Sequence, residues 1–585
     1  MSTHTVHTEA RQREAPAAAA VQPHAGADAP ARAPQQWHRG LTLIATISLF
    51  IGTRTAWTQA MLTHPPVAGV ISLCYAGILL CGVATLTVRS RRALVRVDAA
   101  VLVLAVTLTV CGYWLNHAGG DEAVLTAQAA TQIAHGRLVY GQPWPWLFGA
   151  APKPGLTKTM SGGADYTYGY PPLTALLAAP VHAVLHSAAA ATAVTTGAFI
   201  AGSVTLWLLL PAPWRPAATT VCMGLGILPN YARLGYPAIV ALALLVPVVV
   251  RWPATGAGGR LGRGGVLRAV CLGAACAAQQ LAWFFAPFLL IGLYAVRRGE
   301  LGARPATAVL ARFAGTAALV WAGINAYFAA QDFSPWLHGL LLPLTQKAIL
   351  HGQGLMGISY YFTDGSSRLD YYSYASLLLL AGLLALTALF PRRLGTAITV
   401  LPWLSFYLAT RSQDGYFLLM TPLWLAAAAT VPASHLARAW QPRVPRVTGR
   451  HAKAAVAAAA VVPALLCAGI AAASPPPLRM TLTPRTDDRP HPALTAVTVR
   501  AVNTTGTALT PHFASRVGQG ASNWWTITSG PATLAPHSTA VYVVRPAGGH
   551  RPAPGAHQRM YLIAVTGTPM TISTARIEAP AHRGR

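Results

Sequence analysis

Residues 89–122 read RSRRALVRVDAAVLVLAVTLTVCGYWLNHAGGDE. Four arginines (Arg89, Arg91, Arg92, Arg96) precede a run from Val97 to Leu115 that carries only one charge, Asp98. A polar, glycine-rich turn then leads to the paired acids Asp121 and Glu122. In hydrocarbon a backbone amide finds no partner outside its own segment, so an apolar run of this length is read as a helix that crosses a bilayer. Arginine runs stay on the inner side, so the paired acids are expected outside.

The same alternation continues in both directions. Leu41–Ala60 is expected to leave the inner side and Val67–Val88 to return, and Ala189–Leu210 to return inward to Arg215. Ala217–Leu228 then goes out, Gly235–Val250 comes back to Arg251, and Val266–Ala278 with Leu281–Val296 forms a hairpin whose outer turn is Gln279-Gln280. Ala306–Phe328 exits, Tyr371–Phe390 returns to Arg392-Arg393, and Leu394–Leu408 pairs with Gly415–Val431 around Arg411-Ser412-Gln413-Asp414. Ala454–Ala473 crosses last. That gives about thirteen crossings by length and charge, with outer loops at 116–170 and 329–370. The segment Pro172–Leu185 is read as a helix lying at the outer surface, because a crossing there would put every later arginine run outside.

Composition agrees. The chain of 585 residues is 54% hydrophobic and 10% charged, too apolar for an aqueous core to hide. Its net charge of +28 comes largely from arginines in short runs between apolar stretches, so it signals membrane orientation and no nucleic-acid partner. All seven cysteines lie in apolar segments, so no disulfide framework or thiolate metal site is readable. Residues 1–40 hold no apolar run and read as a disordered cytoplasmic tail, with the first crossing as insertion signal. The transmembrane region is expected to occupy 41–473. From 474 to 585 the pattern changes to alternating β-branched and polar residues, as in Thr495–Val499 and Ala540–Val544. Turn signals at Asn503–Gly506 and Pro546–Gly549 separate these runs. An extracytoplasmic β-sandwich follows from that spacing. The predicted fold class is therefore an all-α polytopic membrane protein with a C-terminal extracytoplasmic β-sandwich.

The first outer loop opens on Gly119-Gly120-Asp121-Glu122, continues as a helical pattern, and closes on Tyr166-Thr167-Tyr168-Gly169-Tyr170-Pro171-Pro172-Leu173. An acid just after an early crossing, followed by an aromatic-Pro-Pro-Leu, resembles the GT-C superfold of polytopic glycosyltransferases, in its bacterial mannosyltransferase-like branch. The segments Gln280–Phe288, Asn325–Trp336, His351–Leu355 and Arg411–Phe417 agree in order, so the resemblance spans roughly residues 40 to 430 and leaves out the C-terminal domain. It implies transfer of a sugar, mannose-like, from a polyprenyl-phosphate donor to an envelope glycan, lipid or protein outside the membrane.

The residues suit that chemistry. A carboxylate at the lipid–water boundary can take the acceptor proton, which makes Asp121 the first candidate and Glu122 the second. Each has a plainer role as well, since acids in a first helical turn complement its dipole. The outer cations Arg233, Lys347, Arg368 and Arg411 are candidates for the departing phosphate, or ordinary interfacial side chains. Tyr168, Tyr170, Pro171 and Pro172 start a helix in any protein and are carried as substrate-side candidates by their distance from Asp121. Gln279 and Gln280 stand where the resembling family has a Lys-Gln pair, a departure that removes a positive charge. The outer aromatics are weighed first as an interfacial belt, ahead of stacking on sugars or isoprenes, and Trp524-Trp525 reads equally as a carbohydrate-contacting pair or as sandwich core. No nucleotide cradle or metal–carboxylate motif is readable, so no cofactor is expected, with a divalent metal left open. Besides the donor and acceptor, membrane lipids are the expected partners. Two other readings stand beside the enzyme: a lipid-linked sugar transporter or flippase, and a catalytically inactive GT-C-like scaffold.

Overall fold

The computed structural model describes residues 35–149, 156–348, 352–487, 493–548 and 559–578, with the backbone of 551–552. The tail before residue 35 and His351 lie outside the described residues. Among the described residues seven helices are long and apolar enough to cross a membrane: Pro65–Thr87, Arg91–Leu115, Ala189–Leu209, Leu281–Leu301, Ala303–Gln331, Asp370–Leu389 and Arg450–Ala473. Leu73, Leu79, Leu80 and Leu319 on these helices are exposed, as lipid-facing side chains are.

Each helix begins for a local reason. We label Gln35–Thr63 α1, Pro65–Thr87 α2, Arg91–Leu115 α3, Asp121–Ala134 α4, Leu173–Leu185 α5 and Ala189–Leu209 α6. Pro65 and Pro66 open α2, where a missing N–H costs nothing. Ser90 Oγ accepts from Ala93 N at 3.1 Å and caps α3. Near their starts α1 and α3 are joined by buried polar groups: Asp98 lies 2.6 Å from His38 Nε2 and accepts from Thr42 Oγ1 at 2.7 Å. The one charge in the run Val97–Leu115 is thus paired.

The expectation of about thirteen crossings rests on runs that the fold divides. Ala217–Leu228 is split into Arg215–Thr219, a wide turn at Thr220–Gly224, and Ile227–Leu234. The break lies where Gly224 and Gly226 pack directly on Ser48 and Gly52 of α1, with Gly226 at φ 76°. Gly235–Val250 becomes Pro237–Val249, with Pro247 inside. Its 13 residues rise about 20 Å, short of the hydrocarbon thickness. Leu394–Leu408 and Gly415–Val431 are likewise cut at Pro402 and Pro422. These short apolar helices lie among the long ones, around a core that includes Phe285, Phe288, Trp403 and Tyr372. Pro172–Leu185 appears as the 13-residue helix α5, packed between α4 and α6.

The C-terminal part is an antiparallel domain of two sheets. The first holds β1 (Gly365–Ser366), β4 (His512–Val517), β5 (Gly520–Ala521), β9 (Met560–Gly567) and β10 (Met570–Ile577), in the order β1-β10-β9-β4-β5. The second holds β2 (Leu478–Thr486), β3 (Ala493–Asn503), β6 (Thr526–Ser529) and β7 (Thr539–Arg545), in the order β2-β3-β7-β6, with β8 (Arg551–Pro552) also paired to β3. Val497, Val499 and Tyr542 from one sheet meet Phe513, Leu562 and Ala564 from the other in one apolar core, the sandwich that the alternation predicted. Asn503 Oδ1 accepts from Thr505 N and Oγ1, which makes the Asn503–Gly506 segment a turn. One strand was not expected. β1 comes from the second outer loop and pairs with β10, Gly365 opposite Ser573.

Candidate functional site

Four segments of the membrane domain and one hairpin of the sandwich meet around a cavity of about 300 Å³, at the lower end of the range for small-ligand pockets. Its lining includes Asp121, Glu122, Thr157, Lys158, Tyr236 and Arg411, with Gln519 and Gly520 from the sandwich.

Asp121 and Glu122 open α4, and the turn before them is fixed by contacts that only glycine permits. Gly119 lies at φ 79°, with Thr192 and Ala123 crowding the place of a side chain, and Gly120 N donates to Leu234 O at 2.9 Å. Opposite α4, residues 157–165 form a tight loop in which Asp165 N donates to Thr157 O at 2.9 Å and Thr159 N to Gly163 O at 3.1 Å. That loop is tied to the acid. Asp121 Oδ2 accepts from Thr157 N at 3.0 Å and from Thr157 Oγ1 at 2.8 Å, and Oδ1 accepts from Glu122 N at 3.0 Å.

Arg411 enters from the turn between two short helices and donates through Nη2 to Thr157 Oγ1 at 3.4 Å. Its turn is clamped to the second outer loop. Gln353 N donates to Ser412 O at 3.0 Å and Gly354 N to Ser412 Oγ at 2.8 Å. A Cβ at Gly354 would overlap Ser412 Oγ and Tyr407 O, so the approach needs glycine.

Glu122 Oε2 and Arg411 Nε are both sealed from solvent and have no hydrogen-bond partner among the described residues. Buried polar atoms left in this way are what a ligand or ordered water satisfies. Burial, and next the neighbouring Asp121, push the Glu122 carboxyl up to about 8, against the lowering effects of Arg411 and of the hydrogen bond from Tyr170. That rise favours the protonated form of Glu122 at neutral pH. Burial also lowers Lys158, an effect that Asp121 partly opposes.

The predicted residues divide into two groups. Asp121, Glu122 and Arg411 share the cavity, and Tyr170 stands beside Glu122. Tyr168 is fully buried beneath, donating to Pro171 O at 3.3 Å, and Pro171 and Pro172 are buried at the start of α5. Gln280 does not line the cavity. Its Nε2 donates to Gly169 O and to Leu340 O, both at 2.8 Å, and so holds the Tyr-Pro-Pro turn, while Gln279 Oε1 accepts from Gln280 N.

The other cations have separate posts. Arg233 donates to Gly112 O at 3.0 Å, closing the end of α3; Lys347 Nζ donates to Gly567 O at 2.7 Å; Arg368 lies over the Tyr371 ring. Thr157, Lys158, Tyr236 and Gln519 were not singled out from sequence. Lys158 carried a signal, as one of only four lysines in the chain and inside the loop between the acid and the Pro-Pro turn. Among the described residues no cluster of three or more His, Cys, Asp or Glu side chains is placed to hold a metal ion.

The chain matches no family model, no curated protein and no solved structure. The functional reading therefore rests on the geometry of this cavity and on the order of the motifs.

Proposed function

We propose that the chain is an integral membrane glycosyltransferase of GT-C type, which moves a mannose-like sugar from a polyprenyl-phosphate donor to an acceptor of the cell envelope on the non-cytosolic side. The observation that carries this reading is the convergence of two acids in unlike surroundings with a buried guanidinium in one cavity. In this reading Asp121 takes the proton of the acceptor hydroxyl as its oxygen bonds to the sugar C1. The bond from C1 to the phosphate oxygen breaks, and its electron pair leaves with the lipid phosphate. Arg411 and Lys158 neutralise that charge. Glu122, protonated, supplies a hydrogen bond to the donor and no base, in line with the division of roles between acids in unlike environments.

The crossing pattern belongs to the same proposal. About thirteen crossings, by the length and charge rules, put the start of the chain inside and both outer loops and the sandwich outside. Support comes from the sandwich itself, which touches the first outer loop where Trp524 Nε1 donates to Gly163 O at 2.8 Å. In this reading the two share one side of the membrane. The direct test is Asp121→Asn in purified full-length protein given polyprenyl-phosphate-linked sugars. Transfer is expected to disappear while the donor still binds, and undiminished transfer would overturn the assignment.

A further inference from the structure

The wall of the cavity formed by the sandwich has no part in the chemistry just described, yet it is built with care. The tight β4–β5 turn reaches over the cavity with Gln519, Gly520 and Ala521. Its root is fixed. Arg516, 5% exposed, lies 5.4 Å from the Tyr360 ring, 5.2 Å from Tyr361 and 4.5 Å from Tyr561, and Nη1 donates to Gly518 O at 3.3 Å. A cation over three aromatic faces is a strong anchor. A second anchor lies at the other side of the same strand, where the His512 ring packs against Gly162 and Trp524. The turn is thus a fixed wall, and the Gln519 amide at its tip is exposed and makes no hydrogen bond among the described residues.

Resting on the glycosyltransferase reading, we propose that this turn forms the acceptor side of the site, and that Gln519 is a specificity-determining residue which hydrogen-bonds hydroxyls of a polyhydroxylated sugar ring. An amide offers both donors and an acceptor, as vicinal hydroxyls require. The Gly520 backbone and Ala521 beside it leave a shallow apolar step for the C–H face of such a ring. The lipid-phosphate end faces Arg411 and Lys158, so donor and acceptor ends are served by different domains of the chain.

Two probes separate the ends: methyl α-mannoside for the acceptor side and decyl phosphate for the donor side. Both are titrated by saturation-transfer NMR onto the full-length protein in lipid nanodiscs. Gln519→Ala is expected to weaken mannoside binding about five- to tenfold, as for one lost neutral hydrogen bond, and to leave decyl phosphate unchanged. Gly520→Leu has room to fold, since its Cβ would meet only Val517 O at 3.6 Å, and should block the mannoside. Equal mannoside binding by wild type and both variants, no mannoside binding by wild type, or equal loss of both probes would each overturn the proposal. Failure of the glycosyltransferase reading shows elsewhere, as decyl phosphate binding that is absent or indifferent to Arg411→Ala.

Discussion

Thr157 holds Asp121 by two hydrogen bonds to one carboxylate oxygen, from its backbone N at 3.0 Å and its Oγ1 at 2.8 Å, across 36 positions of sequence. The same hydroxyl receives Arg411 Nη2, so one threonine sets the spacing of the acid and the guanidinium. Thr157→Val keeps the shape and the backbone bond and removes the hydroxyl. Turnover is expected to fall about tenfold and stability by about 1 kcal/mol, measured as sugar transfer and as thermal unfolding in detergent.

Asp121→Asn removes the proposed base with little change in volume. A loss of about 10²- to 10⁴-fold in turnover is expected, with the donor affinity preserved. Asp121→Ala should add a loss of stability, because Thr157 N and Oγ1 then lose their acceptor.

Glu122 gives a pH signature. Its folded-state value of about 8 lies above the ordinary 4.5, so the folded chain holds a proton that the unfolded chain gives up. The resulting stability is fully present below about 4.5 and is lost as pH rises through about 8. Melting temperature should decline as pH rises from about 4.5 to about 8 and level off above it, and the transfer rate should fall as pH passes about 8. Glu122→Gln, which keeps an N–H donor, should flatten both profiles and retain transfer near neutrality. A steeper alkaline decline in the variant would contradict this role.

Arg411 should not tolerate lysine. A guanidinium with one nitrogen on Thr157 and Nε unpartnered presents a fork that an ammonium cannot copy. Arg411→Lys is expected to weaken decyl phosphate binding about tenfold and Arg411→Ala more, whereas Arg368→Ala and Lys347→Ala should leave it unchanged, since those side chains lie over Tyr371 and against Gly567 O.

Orientation can be read by labelling. A single cysteine placed at exposed Asn523 in a cysteine-free background should react with a membrane-impermeant maleimide from outside whole cells, and one placed at exposed Arg92 should not. Reaction at both or at neither position would break the assignment of sides.

Much of the architecture is legible in the amino-acid sequence. The decisive stretch forms α3 and the start of α4, Ser90 and the Pro65–Pro66 pair mark helix starts, and the alternating runs Thr495–Val499 and Ala540–Val544 are neighbouring strands with Val497 opposite Val544. Length and charge do not show where the fold breaks apolar runs into short helices. At Gly224 and Gly226 the cause is a backbone-to-backbone approach to α1, and no local pattern announces the partner. The acids and Arg411 stand out in the sequence because charged residues make up only 10% of the chain. Thr157 and Gln519 do not, because an ordinary threonine and glutamine gain their place only through contacts with distant segments.

Because β1 joins β10, a short stretch made before the helix Asp370–Leu389 must wait for a strand that begins at residue 570. During synthesis the outer loop that clamps the Arg411 turn would leave the translocation channel well ahead of its partner. A chain stopped short of β10 would keep its helices yet leave an open edge on β9, a bare hydrogen-bonding ladder of the kind that invites aggregation and attracts quality-control proteases. The geometry thus leaves this sheet, and the cavity wall that its β4–β5 turn supplies, without a closed edge until β10 has been made.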